Sequence, residues 1–245
     1  VGFVHGVMNT DNMSLAGETL DYGPCAFMDA YDPATVFSSI DAAGRYAYAN
    51  QPPIAQWNLA RLAEAMLPLF DADQARAIAS ANAAIERFAT RFEHHWLAGM
   101  RAKLGLATDE PGDAALVGAL LTWMRDTAAD FTNTFRGLDP AGGPAAPALE
   151  DAAFLAWQAE WQARLGRQPQ APDEVAALMR RSNQAVIARN HLVEAALAAA
   201  EQGDLGPLER LVETLGAPWD DARVPLEFRH PAEPGKPPYR TFCGT

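Results

Sequence analysis

The stretch that decides the fold lies at the start of the chain, where residues 2–14 read GFVHGVMNTDNMS and residues 20–24 read LDYGP. Short apolar runs alternate here with polar residues and glycines, a pattern typical of short strands joined by turns. Residues 13–16 and 18–20 flank Gly17 as the two arms of a tight hairpin would, so a hairpin is predicted here. We expect these strands to hold polar side chains on one rigid edge.

Two polar side chains of this stretch, Asn12 and Asp21, are candidate metal ligands. A magnesium ion that holds the phosphates of a nucleotide prefers oxygen ligands, which an Asn carbonyl and an Asp carboxylate supply. Gly23 allows the backbone to turn away without a side-chain clash. Spacing alone leaves an alternative open, namely a turn-rich hairpin whose aspartates only cap turns.

The spacing of this stretch also matches part of a known catalytic pattern. His5 and Asn12 are placed as in the protein-kinase catalytic loop H-R-D-x-x-x-x-N, and residues 21–23, Asp-Tyr-Gly, stand for the downstream D-F-G. Val7 occupies the position of the kinase's catalytic Asp, and a valine cannot accept a proton. Asp11 is therefore the candidate base of this loop.

Composition excludes several classes of protein. The 245 residues are 49% hydrophobic and carry 19 Lys and Arg against 31 Asp and Glu, a formal net charge of -12. The acidic balance predicts no nucleic-acid partner, and no apolar run is long enough to predict a membrane span, so we expect no membrane partner either. The small number of cysteines favours reduced thiols and a cytoplasmic location. Two cysteines are too few for a disulfide-rich scaffold or a cysteine zinc site. Val1 is not an initiator Met, and we expect the chain to be the C-terminal part of a longer protein.

The chain after this stretch reads as mainly helical. Apolar residues such as Ile54, Trp57 and Leu62 share one face of a first helix, which is predicted to end before Pro68. The predicted organisation is a single lobe divided into catalytic and metal-binding loops (1–24), a helical core (25–136), a Pro/Gly/Ala-rich loop (137–150), a second helical region (151–228) and an extended tail (229–245). The fold class expected is mainly α with a small β-hairpin element at the catalytic loop.

The sequence resembles the selenoprotein O (YdiU-like) family along its whole length, most densely in residues 1–70. The strings that carry the resemblance are residues 2–14, 20–24, 44–48, 50–52, 57–59, 62–63, 131–136, 189–191 and 239–245. The resemblance implies the C-terminal lobe of a kinase-like fold whose members transfer AMP from ATP to Ser, Thr or Tyr hydroxyls of proteins.

The resemblance also implies roles for individual residues. Asp11 matches the catalytic base, and Asn12 and Asp21 match the ligands of magnesium, with manganese as the alternative. Asp21 also matches a residue that lies against ATP. The family's phosphate-binding lysine and arginines have no match in this chain, so we expect the 245 residues alone to be inactive.

The two cysteines have two alternative interpretations. The resemblance implies a redox-sensitive disulfide between Cys25 and Cys243 that ties the tail over the active-site loop, while composition alone favours two free thiols. Two other functions stay open at this point. One is an ordinary kinase-like phosphotransferase, and the other is a non-catalytic pseudokinase scaffold.

Overall fold

The computed structural model describes residues 1–138, 140, 151–233 and 239–242. It confirms a mainly α-helical chain with a small β element. Its helices are α1 Gln51–Phe70, α2 Gln74–Lys103, α3 Asp113–Thr127, α4 Phe131–Gly137, α5 Ala152–Leu165, α6 Pro172–Ser182, α7 Asn190–Glu201, α8 Gly206–Leu215 and α9 Leu226–Arg229. The kinase-like arrangement and the predicted division into regions remain predictions. Among the described residues, no helix combines the length and apolar character needed to cross a membrane.

The chain forms two compact units. The smaller, called here the loop unit, contains Phe3–Ala26, Pro33–Trp96 and Tyr239–Thr245. The larger, called here the helical unit, contains the remainder, from Leu97 to Pro238 with two short N-terminal segments. The loop unit therefore holds nearly all the residues that the sequence marks as functional.

The β element differs in detail from the predicted hairpin. Strands β1 (Phe3–Val4) and β2 (Ala26–Phe27) pair with each other, so the sheet joins residues over 20 positions apart. The turn around Gly17 is present with a φ of 75°, but it carries a single antiparallel bridge between Met13 and Thr19. A two-residue strand has few ladder bonds, so this small sheet depends on other partners.

Acidic caps set several helix starts. The Asp73 side chain accepts from the Arg76 N–H just before α2, and the Asp151 side chain accepts from two N–H groups at the start of α5. These bonds satisfy donors that have no partner within a helix. Helix α1 runs past the predicted stop and includes Pro68, because a proline in the last turn removes only one backbone bond.

A fully buried arginine organises part of the helical unit. Arg189 precedes α7, and its guanidinium pairs with Asp29 and with Asp130, the N-cap residue of α4. It also donates to the carbonyl of Arg229 at 2.9 Å. The next residue, Asn190, accepts from the N–H of Phe27 at 3.2 Å and donates to its carbonyl at 2.9 Å. These contacts fix the segment that follows β2.

Replacing this arginine is expected to destabilise the fold. Arg189→Met leaves two partly buried carboxylates without their cation, which should lower the free energy of unfolding by about 3–5 kcal/mol. Urea unfolding of the full-length protein measures this. Arg167→Met is the matched control, because Arg167 pairs with Glu110 on the exposed surface of the same unit and should change little. Equal losses in both variants would contradict the assigned role of Arg189.

Candidate active site

Gln51, at the start of α1, holds the beginning of the candidate catalytic loop in place. Gln51 Oε1 accepts from the backbone N–H of His5 at 3.0 Å, and Gln51 Nε2 donates to the carbonyl of Phe3 at 3.0 Å. One side chain thus satisfies two backbone groups on the outer edge of β1, as a neighbouring strand would. The chain entering the candidate catalytic loop is fixed in this way.

A second amide side chain of α1 holds the loop further along. Asn58 is buried, and its Nδ2 donates to the carbonyl of Met8 at 2.8 Å. Asn58 lies seven residues after Gln51, about two helical turns, so both amides lie near the same side of α1. The helix therefore holds the loop at two points, before and after Gly6.

Gly6 is required by close packing of the loop. Its φ is 87°, and a Cβ at this position would lie 2.6 Å from the carbonyl oxygen of Pro24. Any side chain would displace that backbone. The same carbonyl accepts from Thr241 Oγ at 2.7 Å, so three distant segments meet here.

The candidate base and the first candidate metal ligand share a short 3-10 helix, Thr10–Asn12. Asn12 Nδ2 donates to the carbonyl of Val7 at 3.0 Å, which leaves Asn12 Oδ1 as the free end of the amide. Asp11 is exposed, and its carboxylate bonds to no other residue in the described ranges. An oxygen ligand and a free carboxylate are therefore offered side by side.

The second candidate ligand, Asp21, is also exposed and conformationally fixed. Its Oδ1 accepts from the backbone N–H of Gly23 at 2.8 Å, which sets the turn after the carboxylate. The second oxygen of Asp21 accepts no hydrogen bond within the described part of the chain. Asp21 thus keeps one oxygen for a ligand while the other holds the loop.

Asp21 lies close enough to two neighbours to influence their protonation. Burial lowers the pKa of His5, and the negative charge of Asp21 opposes that shift. Burial raises the pKa of Cys25, and the same charge adds to the effect. His5 Nδ1 in turn accepts from the N–H of Val7 at 3.4 Å. The two halves of the motif are therefore brought together, with Asn12 joined to His5 through Val7.

The donor set fits a magnesium ion better than a metal that needs a full protein cage. The described residues contain no cluster of three or more His, Cys, Asp or Glu placed to hold a metal. Asn12 and Asp21 offer two oxygens with their other atoms already committed. Magnesium commonly binds one or two protein oxygens and completes its octahedron with waters and substrate phosphates.

One predicted site residue lies outside the described residues, and two side chains that hold the candidate loop were not predicted from the sequence. Cys243 falls outside the described residues, so its pairing with Cys25 stays a prediction. Gln51 and Asn58 had no predicted role, although both occur within strings that carry the family resemblance. An amide gives no periodic signal, and only its position next to a distant backbone reveals its contribution.

Asp11, Asn12 and Asp21 thus combine an exposed carboxylate with two candidate oxygen ligands, the residue types that enzymes acting on nucleotide phosphates use. The family described as Protein adenylyltransferase SelO matches residues 1–216, and the chain belongs to that family. It is 57% identical over 250 residues to the protein nucleotidyltransferase YdiU of Cereibacter sphaeroides, 55% over 246 to that of Halalkalibacterium halodurans and 53% over 253 to that of Rhizobium johnstonii. All of the chain is covered in each comparison, but it spans about half the length of these relatives.

The buried His5 predicts a pH dependence of stability. Because its pKa is lowered in the folded state, the unfolded chain takes up a proton below about pH 6.5 that the folded chain refuses. The free energy of unfolding should therefore fall as pH falls from about 7.5 to about 5.5. His5→Gln should reduce that dependence in urea unfolding of the full-length protein.

The control for this prediction is His95→Gln, which alters an exposed histidine of α2. This variant should keep the pH dependence of the parent. A parent and a His5→Gln variant with the same pH dependence would show that His5 does not contribute.

Proposed function

We propose that the full-length protein transfers AMP from ATP to the side-chain hydroxyls of Ser, Thr or Tyr in other proteins. The single observation that carries this proposal is the loop from Val7 to Asn12. It presents a free carboxylate at Asp11 and a non-titrating residue at Val7, where a kinase would carry its base. Membership of the adenylyltransferase family supports the transfer of AMP rather than of phosphate.

In this proposal Asp11 is the general base. Its carboxylate accepts the proton of the acceptor hydroxyl while the hydroxyl oxygen bonds to the α-phosphorus of ATP. The bond between that phosphorus and the oxygen bridging to the β-phosphate breaks, and pyrophosphate leaves. General bases typically contribute factors of about 10² to 10⁴ to a rate. Positioning and charge stabilisation supply much of the rest.

Asn12 Oδ1 and one oxygen of Asp21 are the proposed ligands of magnesium, with manganese as the alternative. When bound, the ion would neutralise charge on the phosphates of ATP. The bonds from Asn12 to Val7 and from Gly23 to Asp21 keep these oxygens in place without reorganisation. Asp21 also lies against the ATP phosphates in this proposal.

The first test is label transfer by the full-length protein with magnesium and ATP labelled at either the α- or the γ-phosphate. Label should pass to protein from the α-position only. Asp11→Asn should lower the rate by about 10² to 10⁴ because the base is lost. Asp21→Asn should also lower the rate, and the remaining transfer should need a higher magnesium concentration because one proposed ligand is lost. Glu18→Gln is the control, since it removes an exposed carboxylate of the same loop region.

Two other results would each favour one of the alternative functions. Transfer of the γ-label would make the protein a phosphotransferase and would require a different base. ATP binding without transfer of either label, unchanged by Asp11→Asn, would make it a scaffold. The 245 residues alone should transfer no label, so the full-length protein is the one to assay.

The contacts of Thr241 support a disulfide between Cys25 and Cys243 as part of the same proposal. Thr241 Oγ donates to the carbonyl of Pro24 at 2.7 Å, and the Thr241 backbone bonds to Phe37 and Ser39 at 2.8 and 2.9 Å. Thr241 is only two residues before Cys243 in the sequence, and Pro24 directly precedes Cys25. The bond between Thr241 and Pro24 therefore favours the pairing of these two cysteines over two free thiols.

Oxidation should form this bond in the full-length protein. Incubation with glutathione disulfide takes two electrons and two protons from the thiols, and non-reducing peptide mapping should find the Cys25 and Cys243 peptides joined. Thr241→Val removes the bond to Pro24 and should slow the joining. Cys25→Ser is the control that must abolish it. Complete oxidation without the joined peptide would contradict the pairing.

A further inference from the structure

An exposed stack of two arginines and a tryptophan lies in the loop unit. The guanidinium carbon of Arg45 lies 5.0 Å from the centroid of the Trp57 ring, and that of Arg61 lies 5.2 Å from it. Arg45 also lies 5.6 Å from the ring of Tyr46. Trp57 shares one helix face with Ile54 and Leu62 in the sequence pattern, yet 42% of its surface is exposed. We call these residues the arginine stack.

The two arginines differ in their charge partners. Arg61 forms an ion pair with Glu64 at 2.6 Å. Arg45 forms no hydrogen bond or ion pair through its guanidinium with any residue the structure describes. The nearby Asp41 uses its two oxygens on the backbone N–H groups of Arg45 and Tyr46, at 2.8 and 2.9 Å. Arg45 is therefore a cation held by aromatic rings, with its donors free.

Such a guanidinium is well prepared to bind an anion. Stacking on aromatic faces fixes its plane, so less conformational entropy is lost when it binds. Its fork of N–H donors matches a carboxylate with two parallel hydrogen bonds. Because the donors of Arg45 are free, a carboxylate can bind there without displacing an existing ion pair.

The stack is joined directly to the candidate catalytic loop. Tyr46 follows Arg45, and its hydroxyl donates to Asn9 Oδ1 at 2.6 Å. Asn9 immediately precedes the 3-10 helix that contains Asp11. A polypeptide that presents a hydroxyl to Asp11 would therefore have flanking residues within reach of Arg45. All of these residues belong to the loop unit.

We infer that Arg45, held on Trp57, binds carboxylate side chains that flank the modified hydroxyl in the acceptor protein. This inference rests on the proposed function and adds the chemistry of the acceptor: a segment rich in Asp or Glu. Arg45 is a specificity-determining residue here, because it touches the acceptor and takes no part in the transfer.

The test uses the full-length protein and two fluorescein-labelled peptides. In one peptide a single serine is flanked by glutamates, and in the other each glutamate is replaced by glutamine. Fluorescence anisotropy should show tighter binding of the glutamate peptide to the parent. Arg45→Gln should weaken that binding about tenfold and leave the glutamine peptide unaffected. Arg45→Lys should bind the glutamate peptide with intermediate affinity, because lysine keeps the charge but loses the paired N–H donors of the guanidinium.

Two further variants separate the stack from general charge. Trp57→Leu removes the ring beneath Arg45. This variant should bind the glutamate peptide more weakly and bind the glutamine peptide as the parent does. Arg87→Gln makes the same charge change at an exposed position of α2 outside the stack and should have little effect. Equal losses in Arg45→Gln and Arg87→Gln, or no preference of the parent for the glutamate peptide, would overturn the inference.

Transfer kinetics distinguish this inference from the proposed function. With α-labelled ATP, Arg45→Gln should raise KM for the glutamate peptide and leave KM for ATP unchanged. A rise in KM for ATP with unchanged peptide binding would assign Arg45 to the nucleotide and overturn the inference. Loss of peptide preference in Arg45→Gln together with no transfer by the parent would support the binding role while contradicting the proposed function.

Discussion

The structure around the site depends on amide side chains that complete the backbone hydrogen bonding of very short strands. Gln51 satisfies two backbone groups of the β1 segment, and Asn190 satisfies both backbone groups of Phe27 in β2. Strands of two residues cannot form a stable ladder by themselves. Unsatisfied N–H and C=O groups at these edges would cost free energy if buried, so the loop between the strands relies on these two side chains.

Side chains have a similar double use in the candidate site, where each proposed ligand uses one atom to hold the loop and keeps another free. Asn12 donates a hydrogen bond through Nδ2 and keeps Oδ1 free for a ligand. Asp21 accepts a hydrogen bond through Oδ1 in a turn and keeps its second oxygen free. A ligand fixed in this way loses little conformational freedom when an ion binds. The exposed Asp11 has no such hydrogen bond in the described part of the chain, which suits its proposed role as the group that accepts a proton from the substrate.

Local signals in the sequence predicted much of the fold, whereas long-range contacts remained hidden. Aspartates at helix starts, such as Asp73 and Asp151, are readable in a sequence because a cap acts within one turn. The contacts of Arg189 and Asn190 with Asp29 and with the backbone of Phe27 join residues about 160 positions apart, and no local pattern reveals them. The exposed position of Trp57 was missed for a related reason: helical periodicity cannot distinguish a core residue from one that supports cations.

The contacts of Thr241 can form only late in the synthesis of this chain. Its bond to Pro24 joins residues 217 positions apart, and its backbone pairs with the segment around Ser38. A ribosome adds about 5–20 residues per second, so the early loop waits many seconds for its last partner. The candidate catalytic loop is therefore the first part of these 245 residues to be made and among the last to gain all of its contacts. Until Thr241 emerges, the Pro24 carbonyl lacks this hydrogen bond and must bond to water instead.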